Sequence, residues 1–301
     1  MSGRPAPIAG EPTIAAHRLD HVRVRRQASR AASSYDAAAW LPRQVGDALM
    51  EHLLPVRMQP ARILDAGAGT GICSRLLCRH YPRARVIALD SCPPMLRAGR
   101  PRGPRSPRRH SRPVLACGDA QSLPLADASI HLVVSSLMLP SCPAPDAVLA
   151  EFHRVLAPGG LLMFSTLGPD TLWELRESWL AVDDKVHVHA FFDMHDLGDA
   201  LLRAGFQDVV MDVERFQGRY PDVTVLAREL KALGTANAAC GSGKGLTTRA
   251  HITALEQAYE AFRKDQTLPA SFEVVFGHAW RTPAHTVEVS ADAMLRATRH
   301  P

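Results

Sequence analysis

The stretch Ala61-Arg-Ile-Leu-Asp-Ala-Gly-Ala-Gly-Thr-Gly71 decides the fold. Its first five residues are a short apolar run closed by an acid, which reads as a strand; a glycine turn follows, and the residues to about His80 read as helix. Arg85-Val-Ile-Ala-Leu-Asp90 repeats the strand-then-acid pattern. Strand, glycine turn, helix and strand make a βαβ unit with parallel strands and a right-handed crossover. An α/β sheet is the expected architecture.

The pattern extends outward in both directions. Val114–Asp119 and Ile130–Ser136 are two more strand candidates, and Val148, Leu149, Phe152, Val155 and Leu156 make a helical face between Asp146 and Leu156. Pro158-Gly-Gly160 stops that helix before a strand at Leu161–Ser165; a helix from Asp196 to Ala204 and a strand from Phe206 to Val213 follow. Residues 60–215 therefore read as one doubly wound domain. Tyr220–Leu233 and Arg249–Lys264 look helical, joined by a Gly/Ala/Ser/Thr-rich loop, and 216–285 is expected to be a helical, substrate-facing region with a final strand. Upstream, residues 1–16 and, at the other end, 286–301 read as tails, and 17–59 as a helical lead-in. Within the lead-in, Ala37, Leu41, Val45, Leu49 and Leu53 recur every four residues, with Pro42 expected to bend or divide the helix.

Composition narrows the function classes. With 301 residues, 46% hydrophobic and 22% charged, the chain is long enough for a full core and is neither fibrous nor wholly disordered. No stretch approaches the roughly 18 apolar residues of a membrane span, and the N-terminus lacks an apolar signal core, so a soluble, cytoplasmic protein is expected. The six cysteines contain no C-x-x-C pair and read as reduced, buried small side chains. A net charge of +5 is mild.

The glycine turn asks for a ligand that backbone approaches closely. A dinucleotide site wants G-x-G-x-x-G at a helix N-terminus; here the spacing is G-x-G-x-G, and Asp65 stands where a carboxylate would repel phosphate. A cationic ligand suits Asp65 better, and the ammonium of S-adenosylmethionine is such a group. Asp90, 25 residues later at a second strand end, is placed to accept ribose hydroxyls, and Asp119 to accept an adenine amino group.

Taken together, Ile63-Leu-Asp-Ala-Gly-Ala-Gly-Thr-Gly71, Ala88-Leu-Asp90, Gly118-Asp-Ala120, Leu123-Pro-Leu125 and Arg154-Val-Leu-Ala-Pro-Gly-Gly160 resemble the seven-strand S-adenosylmethionine-dependent methyltransferases. The resemblance implies a doubly wound, mostly parallel seven-strand sheet of Rossmann-like type, with a helical N-terminal lead-in and a C-terminal helical cap. The cofactor-binding set is then Asp65, Gly67, Gly69, Thr70, Gly71, Asp90, Ser91, Asp119, Ala120 and Ser136, with S-adenosyl-L-methionine as cosubstrate and no metal. A narrower resemblance, from about residue 21 to 280, is to the malonyl-[acyl-carrier protein] O-methyltransferases of biotin synthesis. Ser33-Ser-Tyr-Asp-Ala-Ala-Ala39, Ser165–Leu172 with Glu174-Leu-Arg176, His187-Val-His189 with Asp193–Asp199, Val210–Glu214, Gly245-Leu-Thr247 and Ser271–Trp280 carry it. Pro42 and Ser141 depart from the pattern, in which Gln and Trp are common.

That resemblance implies methyl transfer to the free carboxylate of a malonyl thioester on an acidic acyl carrier protein. The acceptor is already ionised at neutral pH, so no general base is required. Tyr35, Arg176, His187 and His189 are the substrate-orienting candidates, and the basic Arg100–Arg112 loop is a candidate carrier contact. Two other readings remain open here: a methyltransferase of another small molecule, and a non-methylating assembly or binding factor of the same fold. His187, His189, Asp193 and His195 lack the spacing of a metal site and read as pocket wall or helix cap. Gly241-Ser-Gly-Lys-Gly245 lacks the first glycine and the Ser/Thr of a phosphate loop. Trp173, Trp179, Phe191 and Phe192 read as core ahead of pocket lining. Nucleic-acid binding would rest on the arginine loop alone, and neither it nor a membrane is the expected partner.

Overall fold

The structure, a computed structural model of the chain, describes residues 20–100, 112–188, 190–235 and 248–283. Three helices lead in: α1 (His21–Ala31), α2 (Tyr35–Ala38) and α3 (Trp40–Leu53). Pro42 has no N–H to give the carbonyl of residue 38 and its ring crowds that oxygen, so the expected single helix divides at Ala39, with φ −80 and ψ 46. Pro42 itself sits in the first turn of α3, where the missing donor costs little.

The core then alternates strand and helix: β1 (Arg62–Ala66), α4 (Ile72–His80), β2 (Arg85–Asp90), α5 (Pro93–Ala98), β3 (Val114–Cys117), β4 (Ile130–Ser136), α6 (Pro145–Val155) and β5 (Leu156–Leu167). After these come α7 (Trp173–Leu180), α8 (Met194–Arg203), β6 (Gln207–Tyr220), α9 (Val223–Ala232), α10 (Arg249–Tyr259) and β7 (Leu268–Trp280). The seven strands form one sheet in the order β3-β2-β1-β4-β5-β7-β6. β1 to β5 pair in parallel, and β7 runs antiparallel between β5 and β6. Neighbouring residues of one strand face opposite layers: Ile63, Leu132 and Met163 join one buried cluster, and Leu64, Val133 and Leu162 the other.

Two elements differ from the sequence reading. β5 starts at Leu156, directly after α6, because Leu156 already pairs with Ile130 and the following Pro-Gly-Gly forms an irregularity inside the strand instead of a loop before it. β6 runs seven residues past Val213, because β7 supplies a pairing partner as far as Tyr220. The division at 215/216 thus lies inside β6, and β7 joins residues on both sides of it into one sheet.

The strand order reverses between β1 and β4, so a crevice opens at the carboxyl ends of these strands. Toward the opposite edge, a clamp that the sequence scatters over two motifs ties the β3–β4 connection to the end of α6. Arg154 of α6 donates to the carbonyls of Leu123 (3.0 Å) and Leu125 (2.9 Å), while Glu151 accepts from the Leu123 N–H at 2.6 Å.

Candidate active site

The glycine turn caps the carboxyl end of β1. Gly67, Gly69 and Gly71 all have positive φ, of 73, 54 and 79°, a region that glycine enters without steric cost. At Gly67 a Cβ would lie 2.5 Å from the Met138 side chain, so any larger residue is strained by its positive φ and must displace Met138. The turn is tied to β2: Gly67 and Ala68 donate to the Leu89 carbonyl, and Gly69 donates to Asp90 Oδ2 at 2.8 Å. Asp90 Oδ1 accepts from the Cys92 N–H at 2.7 Å. Burial pushes the Asp90 carboxyl up, and the two N–H groups oppose that rise.

Asp65 sits on the last turn of β1 and is 1% exposed. Its Oδ2 accepts from the Ser74 hydroxyl of α4. Burial raises its midpoint from 3.8 to about 6, against the Ser74 hydrogen bond. A carboxylate so enclosed acts on a ligand through its field, not through an open oxygen. Asp119, at the end of β3, is exposed and turned onto its own loop, accepting from the Gln121 N–H at 2.9 Å. Ala120 beside it is buried. Ser91 follows Asp90 and is half-buried; Ser136, at the end of β4, accepts from the Ser165 hydroxyl at 3.2 Å. Thr70 donates to Asp36 at 2.6 Å, and its carbonyl accepts from Arg75 at 2.7 Å. Asp65, Asp90 and Asp119 thus stand at the carboxyl ends of three neighbouring strands.

A cleft of about 310 Å³ opens beside this edge. Leu137 and Ser141 from the segment after β4, Leu167 from β5, Leu175 and Trp179 of α7 and Leu226 and Leu230 of α9 give it mostly apolar walls. Tyr35 and His187 are brought together in its lining. Burial pushes the Tyr35 phenol up, and Cys73, Asp36 and Asp90 add to the rise; it is a neutral hydroxyl at physiological pH. His187 stacks on Trp179 with ring centroids 3.5 Å apart, and its Nε2 lies 2.7 Å from Asp183 Oδ1. The Lys185 N–H and the histidine hold the Asp183 carboxyl below its ordinary range.

Arg176 is placed differently from Tyr35 and His187. It does not line the cleft; its guanidinium donates to the carbonyls of Pro169 (3.0 Å) and Thr171 (3.1 Å), bracing the loop that enters α7. His189 lies outside the described residues, as do residues 101–111 of the arginine loop and the Gly241–Gly245 run. Trp179 and Phe191 line the cleft, Phe192 belongs to the core, and Trp173 is 42% exposed against Phe262. Pro42 and Ser141, the two departures, both face the cleft. Sequence reasoning passed over Asp36 and Asp183. Asp36 was legible as the neighbour of Tyr35, and Asp183 as the acid four residues before His187. Among the described residues no group of His, Cys, Asp and Glu is arranged to hold a metal ion.

A doubly wound sheet with a reversed seventh-strand hairpin, a glycine turn without phosphate-loop spacing and acids at successive strand ends define an S-adenosylmethionine-dependent methyltransferase. The family model described as a methyltransferase domain matches residues 64–164. The YcgJ protein of Bacillus subtilis has the same fold, with a TM-score of 0.54 at 14% identity over 78% of this chain and 98% of that one. Malonyl-[acyl-carrier protein] O-methyltransferase of Laribacter hongkongensis is 52% identical over 270 residues, 88% of this chain and 91% of that protein. The biotin biosynthesis bifunctional protein BioHC of Cellvibrio japonicus is 38% identical over 86% of this chain and 50% of that protein. The chain belongs to the malonyl-[acyl-carrier protein] O-methyltransferase family.

Proposed function

We propose that this chain transfers a methyl group from S-adenosylmethionine to the free carboxylate of malonyl-[acyl-carrier protein], giving the methyl ester that opens biotin synthesis. The observation that carries the reading is the juxtaposition of the Asp90 edge with an apolar cleft holding Tyr35 and His187, in a chain of this family.

The residues present fit the cosubstrate. Glycines 67, 69 and 71 leave the backbone bare, Asp90 retains acceptor capacity for ribose hydroxyls, and the enclosed Asp65 favours a cationic group nearby. Thr70, Ser91, Asp119, Ala120 and Ser136 complete its wall at the same edge. S-adenosylmethionine, when bound, supplies an electrophilic methyl on a sulfonium. The protein's own task is alignment: the Tyr35 hydroxyl donates to the substrate carboxylate, and His187, steadied by Asp183 and Trp179, offers a ring nitrogen from the same wall. The apolar cleft strips water from the carboxylate, which sharpens it as a nucleophile. The attacking oxygen takes the methyl while the sulfonium becomes a neutral thioether, so no proton has to move.

In this reading residues 60–215 hold the cosubstrate, and the described parts of the lead-in and of 216–285 share the acceptor cleft with Leu137, Ser141, Leu175, Trp179 and His187. No helix among the described residues is long and apolar enough to cross a membrane, and the work is assigned to the cytoplasm. The test is transfer of labelled methyl to malonyl-carrier protein, run beside malonyl-coenzyme A and free malonate. Methyl ester formed fastest on the carrier protein is the expected result; cosubstrate binding with no transfer to any of the three would overturn it.

A further inference from the structure

Part of the cleft lining reaches solvent where α1, α9 and α10 come together. There the cleft is lined by Gln27 of α1, Lys231 of α9, Thr235 just past α9, and Ile252 of α10. These elements meet at that rim: a Cβ on Gly234, just past α9, would come within 3.2 Å of the Gln27 carbonyl. A substrate whose carboxylate reaches Tyr35 would therefore leave the protein between α1, α9 and α10.

That rim is cationic. Arg26 and Arg30 flank Gln27 on α1, four residues apart and on one side of the helix. Arg228 precedes Lys231 by three residues on α9, and Arg249 precedes Ile252 by three on α10. All five cations are exposed. None of them joins an ion pair among the described residues, although eight ion pairs form elsewhere. The acids nearby are engaged: α1 contains none, Glu229 accepts from Trp40 and Tyr220 at 2.6 Å each, and Glu256 from Thr224 at 3.3 Å. Those hydrogen bonds come from neutral donors and leave both carboxylates charged, so the rim carries five cations against two acids, a net positive charge that attracts a partner of the other sign and orients it there.

Resting on the function proposed above, we infer that the α1–α9–α10 rim is the docking surface for an acidic carrier protein, which threads its acylated arm through this part of the cleft. Charge complementarity selects the occupant: a negatively charged globular protein seats against five free cations, while its thin, largely uncharged arm suits an apolar passage. Arg25 extends the same cationic face from α1 toward α5, where its charge and that of Arg97 both act on Cys92.

The test uses the full chain with Arg26→Glu, Arg30→Glu and Arg228→Glu combined, none of which lines the cleft. Two acceptors are compared, malonyl-carrier protein and malonyl-pantetheine, which carries the arm without the protein. At low salt, kcat/KM for the carrier substrate should fall by about tenfold or more, and the gap from the parent should narrow as salt shortens the screening length. Activity on malonyl-pantetheine should stay within about twofold, which also shows that the variant is folded. Arg83→Glu with Arg85→Glu, at the opposite end of the sheet near the start of β2, should leave both acceptors unaffected. An unaltered carrier kcat/KM, or an equal fall in the control variant, would overturn the docking surface. Parent enzyme inactive on both acceptors would instead overturn the proposed function.

Discussion

Replacing Asp65 by Asn separates two effects that the enclosed carboxylate couples. Burial moves its midpoint from 3.8 to about 6, opposed by the Ser74 hydroxyl and assisted by the Asp90 charge. An acid whose folded midpoint lies above its unfolded one holds more protons when folded, so the folded state loses stability as pH rises. Below 3.8 both states are protonated and the group contributes nothing; above about 6 both are ionised and the whole cost is present. At about 1.36 kcal/mol for each pH unit, the cost is about 3 kcal/mol. Asn keeps the volume and an acceptor for Ser74 but carries no charge. The stability of Asp65→Asn relative to the parent should therefore climb by about 3 kcal/mol between about pH 3 and pH 7, as read by urea unfolding at each pH. The same variant removes the field that favours a cationic ligand, so S-adenosylmethionine affinity by calorimetry should fall about tenfold, or about 1.4 kcal/mol. A stability difference that stays flat with pH would refute the raised midpoint, and unchanged affinity would take Asp65 out of the cosubstrate site.

Asp90→Ala removes the acceptor of the Gly69 and Cys92 N–H groups as well as the ribose partner, and titration with S-adenosylmethionine should show a loss of about 1.5 to 3 kcal/mol. Gly67→Ala places a Cβ against Met138 at positive φ; a drop of about 1 to 3 kcal/mol in unfolding free energy is expected, and adding Met138→Ala should restore only the part due to the clash. Glu174→Ala strips the buried acceptor of the Ser271 N–H and hydroxyl, so chemical denaturation should register a loss of about 2 to 4 kcal/mol. His187→Ala unstacks Trp179 and leaves Asp183 with Lys185 alone; steady-state kinetics should show a lower kcat on malonyl-carrier protein, with S-adenosylmethionine binding unchanged.

The cosubstrate half of the proposed site is legible in the sequence because its residues lie where one local rule places them. In a parallel sheet every strand ends on the same edge, so an acid closing each apolar run, Asp65, Asp90 and then Asp119, arrives there without any knowledge of long-range packing. The substrate half obeys no such rule. Tyr35 and His187 are 152 residues apart, and they meet only because α2 folds over the glycine turn, through Thr70 and Asp36, while α7 is pinned to β7 through Glu174 and Ser271. Arg176 illustrates the cost of that gap: a cation beside a substrate loop reads as a carboxylate ligand, yet the two carbonyls of the loop itself compete for its guanidinium.

Under the proposed function, the same distinction places acceptor specificity in the cleft and the methyl donor at the strand ends. The cosubstrate edge is made of backbone turns and strand ends, which tolerate little change, as Gly67 against Met138 demonstrates. The cleft is made mostly of side chains from the helices that pack against the sheet and from the segment after β4, with Leu167 of β5 and Phe272 of β7 as its contribution from the sheet. Substitutions there reshape the acceptor pocket and leave the methyl donor's seat intact. Pro42 and Ser141, which depart from the residues common at their positions, both lie in this tolerant layer. Ser141 leaves room where a larger ring would stand, and Trp179 stacked on His187 supplies an aromatic surface from another element of the same cleft. The departures therefore alter the shape of the acceptor wall while Asp65, Asp90 and the glycine turn keep the methyl donor's position.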